Sequence, residues 1–122
     1  MASLFVISDD KKTVRYFPLG KAPVVVGRGE TVPIQVIDKQ VSRKHLQIRY
    51  DAKKDHYVAV NMKSRNGVLI NGMLIAEETV LAERDRIKIG DTHIVFTFRD
   101  FPDRQSALHD YKKGGESKFT TL

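Results

Sequence analysis

With 122 residues, 41% of them hydrophobic and 30% charged, the chain is long enough for one core, marginal for two, and too apolar to be disordered throughout. Having no cysteine, it is excluded from disulfides, thiolate metal sites and cysteine nucleophiles, which fits a reducing compartment and leaves stability to packing. A net charge of +6 points to an anionic partner without choosing among nucleic acid, an acidic protein surface and phosphorylated protein.

The start, Met1 to Asp10, has neither a basic n-region nor a long apolar h-region, and no later apolar run approaches bilayer-spanning length. The expected location is cytoplasmic, or nuclear in a eukaryote, with no membrane partner. From Leu4 to Phe98 short apolar or alternating segments are separated by turn residues, the pattern of an all-β sandwich or barrel rather than of βαβ units. Leu4 to Ser8 and Thr13 to Pro18 flank the polar connection Asp9-Asp10-Lys11-Lys12, which suits a hairpin. Val24-Val25-Val26 then runs into Gly27-Arg28-Gly29. Leu46, Ile48 and Tyr50 alternate with polar neighbours, and Ile94, Phe96 and Phe98 alternate with Val95 and Thr97, each with the period of a strand. Asn66-Gly67 and Asn71-Gly72 bracket Val68-Leu69-Ile70 and predict a tight meander, with each asparagine suited to positive φ. Turns at opposite ends of one strand point apart, so at most one of these pairs belongs to a given loop-built site. Glu77 to Arg86 has the charge pattern of a short helix but reads as mostly loop. After Phe98, Pro102 ends the strand pattern, Asp103 to Lys113 can form a helix, and Gly114-Gly115 would stop it. The expected division is a β domain at residues 1–99 and a C-terminal tail at 100–122, a short helix followed by disorder.

Three clusters fall on predicted loops or strand edges: Gly27-Arg28, Ser42-Arg43-Lys44-His45 and Ser64-Arg65-Asn66-Gly67. Together with Asn71-Gly72 and Asp85-Arg86-Ile87-Lys88-Ile89-Gly90, their order and spacing closely resemble the forkhead-associated (FHA) domain family, from Leu4 to Phe98. The resemblance implies an antiparallel β-sandwich of about eleven short strands. It further implies a phosphothreonine-dependent protein interaction module, an adaptor in serine/threonine kinase signalling, with no catalytic residue, cofactor or metal. The implied partner is a threonine-phosphorylated protein or peptide, such as a serine/threonine kinase or its substrate. By the same resemblance Arg28, Ser42 and Arg43 contact phosphate, Arg65 helps to hold it, and Asn66 grips the backbone of the bound peptide. His45 braces the loops from within, and Gly27, Ser64 and Gly67 support the site. The loop before Ser42, with Asp38, Lys39, Gln40 and Val41, would set preference for flanking residues, Lys39 and Gln40 foremost. The chain departs from the family pattern at Pro33, where Asp or Asn is common, at Val68, where Thr is common, and at Arg84, where Gly is common.

The chemistry is coherent without the family. A phosphothreonine carries nearly two negative charges and three strong acceptor oxygens, and Arg28, Ser42, Arg43, Lys44 and Arg65 supply matching donors. Charge-assisted hydrogen bonds contribute roughly 1.5 to 3 kcal/mol each, so two or three would dominate a micromolar interaction of about 8 kcal/mol. Taken singly, Gly27-Arg28 reads as a turn and His45 as a satisfied structural histidine; the combination is what points to function. His56, His93 and His109 share no metal-like spacing. Lys11-Lys12, Lys53-Lys54 and Lys112-Lys113 are interleaved with acids, and no paired aromatic motif is available to stack bases. Two other functions stay open: phosphate-independent interaction or self-association through one face of the sandwich, and, less favoured, nucleic-acid binding. Ser106, Ser117, Thr120 and Thr121 are candidate phosphorylation sites for engagement in cis or in trans. A simple up-and-down strand count puts Arg28 at the opposite end from Ser42 and Asn66, so the site requires a crossing or bent strand near Ile34 to Ile37.

Overall fold

The computed structural model describes residues 1–115. The start of the chain, apolar from Ala2 to Ile7 but for Ser3, forms β1 (Ala2–Ile7), buried along its whole length because both of its faces are covered, with the Ser3 hydroxyl donating to the Arg99 carbonyl. β2 (Val14–Leu19) returns antiparallel to it as the expected hairpin, with Phe5 opposite Tyr16. β3 (Val24–Gly27), β4 (Ile34–Gln35), β5 (Leu46–Asp51) and β6 (His56–Asn61) follow. β7 (Leu69–Ile70) and β8 (Met73–Leu74) form the tight meander around Asn71 and Gly72, whose φ values of 51° and 83° are those of a two-residue turn matched to strand twist. β9 (Glu78–Val80), β10 (Arg86–Ile89) and β11 (Thr92–Thr97) complete the strands. They form a six-stranded sheet in the order β2-β1-β11-β10-β7-β8 and a five-stranded sheet in the order β4-β3-β5-β6-β9. Leu4, Val26, Leu46, Ile48, Ile87, Ile94 and Phe96 interdigitate between the sheets as the main core, which is the all-β sandwich that the period-two segments predict.

Glu77 to Arg86 is mostly loop, as read, but it holds one short strand that the reading lacks: Glu78–Val80 pairs with β6, Val80 opposite Val58, at the sheet edge. Asn66 does not adopt positive φ; only Gly67 of that pair does, at 80°. Arg84 holds φ at 64° with its N–H on the Phe96 carbonyl, a conformation that costs an L residue about 1 kcal/mol and accounts for glycine being common there.

The chain order problem is solved by β4. It pairs parallel to β3, Val26 beside Ile34 and Gly27 beside Gln35, so the intervening loop carries the chain back before β4 runs the same way. β5 is antiparallel to β3, with Val26 opposite Leu46, and β6 ends at Asn61 opposite Leu46. Arg28, the loop before His45 and the loop after Asn61 therefore emerge at one end of the sandwich, and the crossing falls at Ile34-Gln35 within the stretch that required one.

After β11 the helix α1 (Arg104–Asp110) docks on the outer face of the six-stranded sheet and continues into a wider turn, Tyr111–Gly115. Asp103 caps it by accepting the Ser106 N–H at 2.7 Å, the ordinary N-cap contact. Ala107 and Tyr111 cover Phe5, Ile7 and Val95 in a second, smaller core, and Phe5 packs against Tyr16, Phe101 and Tyr111 with ring centroids 5.3 to 5.9 Å apart. Met1 ion-pairs with Asp100 and Arg99 with Asp110, fastening this segment at its edges. Ser117, Thr120, Thr121 and the expected disorder lie outside the described residues. A chain ending at Arg99 is expected to lose about 2 kcal/mol or more, because the apolar side chains under α1 become exposed. Equilibrium urea unfolding checks this, and an unchanged midpoint would show that the helix adds nothing. Among the described residues no helix is long and apolar enough to cross a membrane.

Candidate functional site

Gly27 ends β3 where its backbone passes against the next loop. A Cβ at this position would sit 2.1 Å from the Arg43 carbonyl oxygen, so only glycine permits the approach. That approach lets Arg28 N–H donate to the Ser42 carbonyl at 2.9 Å and Gly29 N–H to the Arg43 carbonyl at 3.1 Å. The Arg28 side chain is then aimed by its own Nε, which donates to the Val41 carbonyl at 3.0 Å and leaves both terminal nitrogens without a partner among the described residues. A guanidinium held by one edge while its other donors are unoccupied is preorganised for an oxyanion.

Ser42 is the junction of the loops. Its carbonyl serves Arg28, its N–H donates to His45 Nδ1 at 3.0 Å, and its hydroxyl oxygen accepts the Arg65 N–H at 3.1 Å. The hydroxyl proton remains as a donor. His45 is fully buried, and its ring spans the two loops. Because the Ser42 amide can only donate, Nδ1 is the acceptor and Nε2 carries the proton, donating to the Gly67 carbonyl at 2.6 Å. Burial holds the imidazole below the ordinary histidine range, against the opposing pulls of the Gly67 carbonyl and the Asp38 charge.

The loop from Ser64 to Gly67 is tied down by Asn61, whose Oδ1 accepts from both the Ser64 N–H and its hydroxyl, while Ser64 Oγ accepts the Gly67 N–H. Asn66 Nδ2 donates to the Gln40 carbonyl at 2.9 Å, drawing this loop to the one before Ser42. Arg28, Lys39, Gln40, Ser42, Arg43 and Arg65 line one cavity of about 210 Å³ together with Val41. Four cations and no carboxylate face that space, and Arg43 and Arg65 have no side-chain partner among the described residues. A larger hollow of about 680 Å³ beside it shares Lys39 and Gln40. Being next to the cationic cavity rather than in it, the larger space is not where the charge converges.

Lys44 was a candidate donor from sequence, but it is absent from the lining of the phosphate-sized cavity and lines a neighbouring hollow instead. Asp38 and Val41 are not exposed specificity residues. Val41 is buried and offers only its carbonyl, and Asp38 links the loop to the β10–β11 turn. Asp38 Oδ2 accepts from the Asp91 N–H at 2.8 Å and the Thr92 hydroxyl at 2.9 Å, and Oδ1 from the Gln40 N–H at 3.0 Å. Burial opposes its charge, but these donors outweigh it and hold the carboxyl below its ordinary range. Sequence reasoning missed Asn61; its signal is an Asx turn, an asparagine at a strand end followed within the turn by Ser64. No group of metal-ligating side chains is present among the described residues.

A β-sandwich with a cationic cavity assembled from three loops at one end defines the class: an all-β module with a loop-built site. Residues 24–90 match the FHA domain family, and the chain belongs to it. The chain is 30% identical over 86 residues to the FHA domain-containing protein FhaA of Mycobacterium tuberculosis, covering 70% of this chain but only 16% of FhaA. Among solved structures it is similar to one from a study of phosphothreonine-dependent FHA domain interactions, with TM-score 0.71 and 27% identity over 82% of this chain and 98% of that one. It is also similar to the FhaA FHA domain complexed with the intracellular domain of Rv3910, with TM-score 0.69 and 28% identity over 79% of this chain and 99% of that one. The chain thus spans about one sixth of its curated relative FhaA and nearly the whole of the solved domains.

Proposed function

We propose that the protein binds phosphothreonine in partner proteins and acts as an adaptor in serine/threonine kinase signalling. The observation that carries this reading is the Arg28 guanidinium, fixed through Nε to Val41, beside the Ser42 hydroxyl and the unpaired Arg43 and Arg65 in a cavity without a carboxylate. Similarity to a domain studied for phosphothreonine-dependent interactions supports the choice of anion. Arg28, Ser42, Arg43 and Arg65 surround the phosphate, Lys39 and Gln40 border the residues beside it, and Asn66, with Oδ1 unpartnered among the described residues, receives a peptide N–H.

The test is calorimetry with a phosphothreonine peptide, its unphosphorylated form and its glutamate mimic. Binding is expected only with phosphate, since glutamate carries a single charge and the wrong oxygen geometry. Arg28→Ala should weaken it at least about tenfold, the loss of one charge-assisted bond of roughly 1.5 kcal/mol or more. Equal binding of the unphosphorylated peptide, or unchanged affinity in Arg28→Ala, would overturn the proposal.

A further inference from the structure

The phosphate-sized cavity has a neighbour. Arg28 and Arg43 line both it and a second hollow of about 500 Å³, which is also lined by Gly29, Glu30, Thr31 and Lys44. Three cations face one carboxylate there, and none of the four has an ion-pair partner among the described residues. The Thr31 hydroxyl is likewise without a hydrogen-bond partner among them. The shared walls are preformed rather than floppy, because the Arg28 and Gly29 amides are bonded to the Ser42 and Arg43 carbonyls. One phosphate carries at most two negative charges, and the first cavity already offers it four cations, Lys39 and Arg65 among them. Lys44 is left over, and so are donors of Arg43, whose planar fork can serve two oxyanions at once.

We infer that this second hollow takes another anionic side chain of the same segment, a carboxylate or a second phosphate, so that the preferred partners are acidic or doubly phosphorylated phosphothreonine sequences. The inference rests on the phosphothreonine reading above. One segment suffices because the hollows share residues and an extended chain advances only about 3.3 to 3.6 Å per residue, which brings flanking side chains within reach of both. Glu30 sets the limit: it repels an incoming anion and keeps the hollow from being a general anion trap.

Fluorescence anisotropy decides it with a phosphothreonine peptide flanked by neutral residues, the same peptide with aspartate at each flanking position in turn, and the same peptide with a second phosphothreonine. The anionic versions that reach Lys44 are expected to bind about two to five times tighter than the neutral one at moderate salt. Lys44→Gln should abolish that gain and leave the neutral-flanked peptide unchanged, whereas Glu30→Gln should enlarge it. A gain from the second phosphate alone, without one from aspartate, supports the inference and identifies the ligand as phosphate. Equal affinities, a parallel loss for every peptide in Lys44→Gln, or competition by a single-stranded oligonucleotide at peptide concentrations would overturn it. If the neutral-flanked phosphopeptide binds and its acidic versions gain nothing, only this inference fails. If no phosphopeptide binds, the phosphothreonine reading fails with it.

Discussion

Gly27→Ala is expected to destabilise the protein by about 3 kcal/mol or more and to abolish binding even where the chain remains folded. The methyl group would lie 2.1 Å from the Arg43 carbonyl oxygen, 2.7 Å from the Arg43 carbonyl carbon and 2.9 Å from the Ser42 carbonyl oxygen. All three are backbone atoms, so no side-chain rotation relieves the clash and the loop itself has to move. Moving it breaks the bonds from Arg28 N–H to Ser42, from Gly29 N–H to Arg43 and from His45 N–H to Val26, each contributing roughly 1 kcal/mol. The same displacement pulls the Val41 carbonyl away from Arg28 Nε, which removes the contact that aims the guanidinium. Gly29→Ala is the control, since its methyl would meet the same carbonyl at 3.1 Å and need only a small adjustment. Urea unfolding of both variants checks the argument. Similar losses for the two would mean that close approach at Gly27 is not what the glycine provides.

Legibility from sequence followed the length of the element and the distance over which it acts. Leu46, Ile48 and Tyr50, or Ile94 and Phe96, announce themselves because a buried strand face repeats every second residue over a whole strand. β4 is only Ile34-Gln35, too short to carry any period; the need to bring Arg28 round to Ser42 required a crossing or bent strand there, but nothing in the sequence marked its parallel pairing with β3. β9 escaped for a related reason: an edge strand of three residues buries too little to display alternation, and its exposed Glu78 and Val80 read as loop. Within the site, Arg28, Ser42, Arg43, Arg65 and Asn66 were nameable because each is a chemically distinctive residue beside a turn signal. Asp38 was nameable only as part of a loop, because its partners Asp91 and Thr92 are more than fifty residues away and nothing local marks them. Lys44 illustrates the converse: one position along an exposed loop separates Arg43, which lines the phosphate-sized cavity as well as its neighbour, from Lys44, which lines only the neighbour, and side-chain direction at that scale is set by the fold.

Acid is expected to loosen the site through His45, with a sign that follows from its buried, neutral state. In the unfolded chain histidine titrates near about 6.5, whereas in the fold burial holds His45 lower. Below 6.5 the unfolded state therefore binds more protons. The stability contributed by neutral His45 is complete above that pH and is lost as pH falls from there through the folded value, with a slope of up to about 1.4 kcal/mol per pH unit. Protonation also turns Nδ1 from an acceptor into a donor facing the Ser42 N–H, so the loops joined by this ring come apart at the residue that offers its hydroxyl. Stability must be measured without peptide, because the ligand phosphate itself titrates near about 6 and would mimic the effect. His93 is held low as well, by burial and by the Arg86, Lys88 and Lys11 charges, and contributes with the same sign. Urea midpoints between neutral pH and pH 5 should consequently fall in the parent chain, fall less steeply in His93→Gln, and fall less steeply in His45→Asn, which starts from a lower value because Asn cannot span from Ser42 to Gly67. An undiminished slope in His45→Asn would assign the acid sensitivity elsewhere and leave His45 as a brace without a titration.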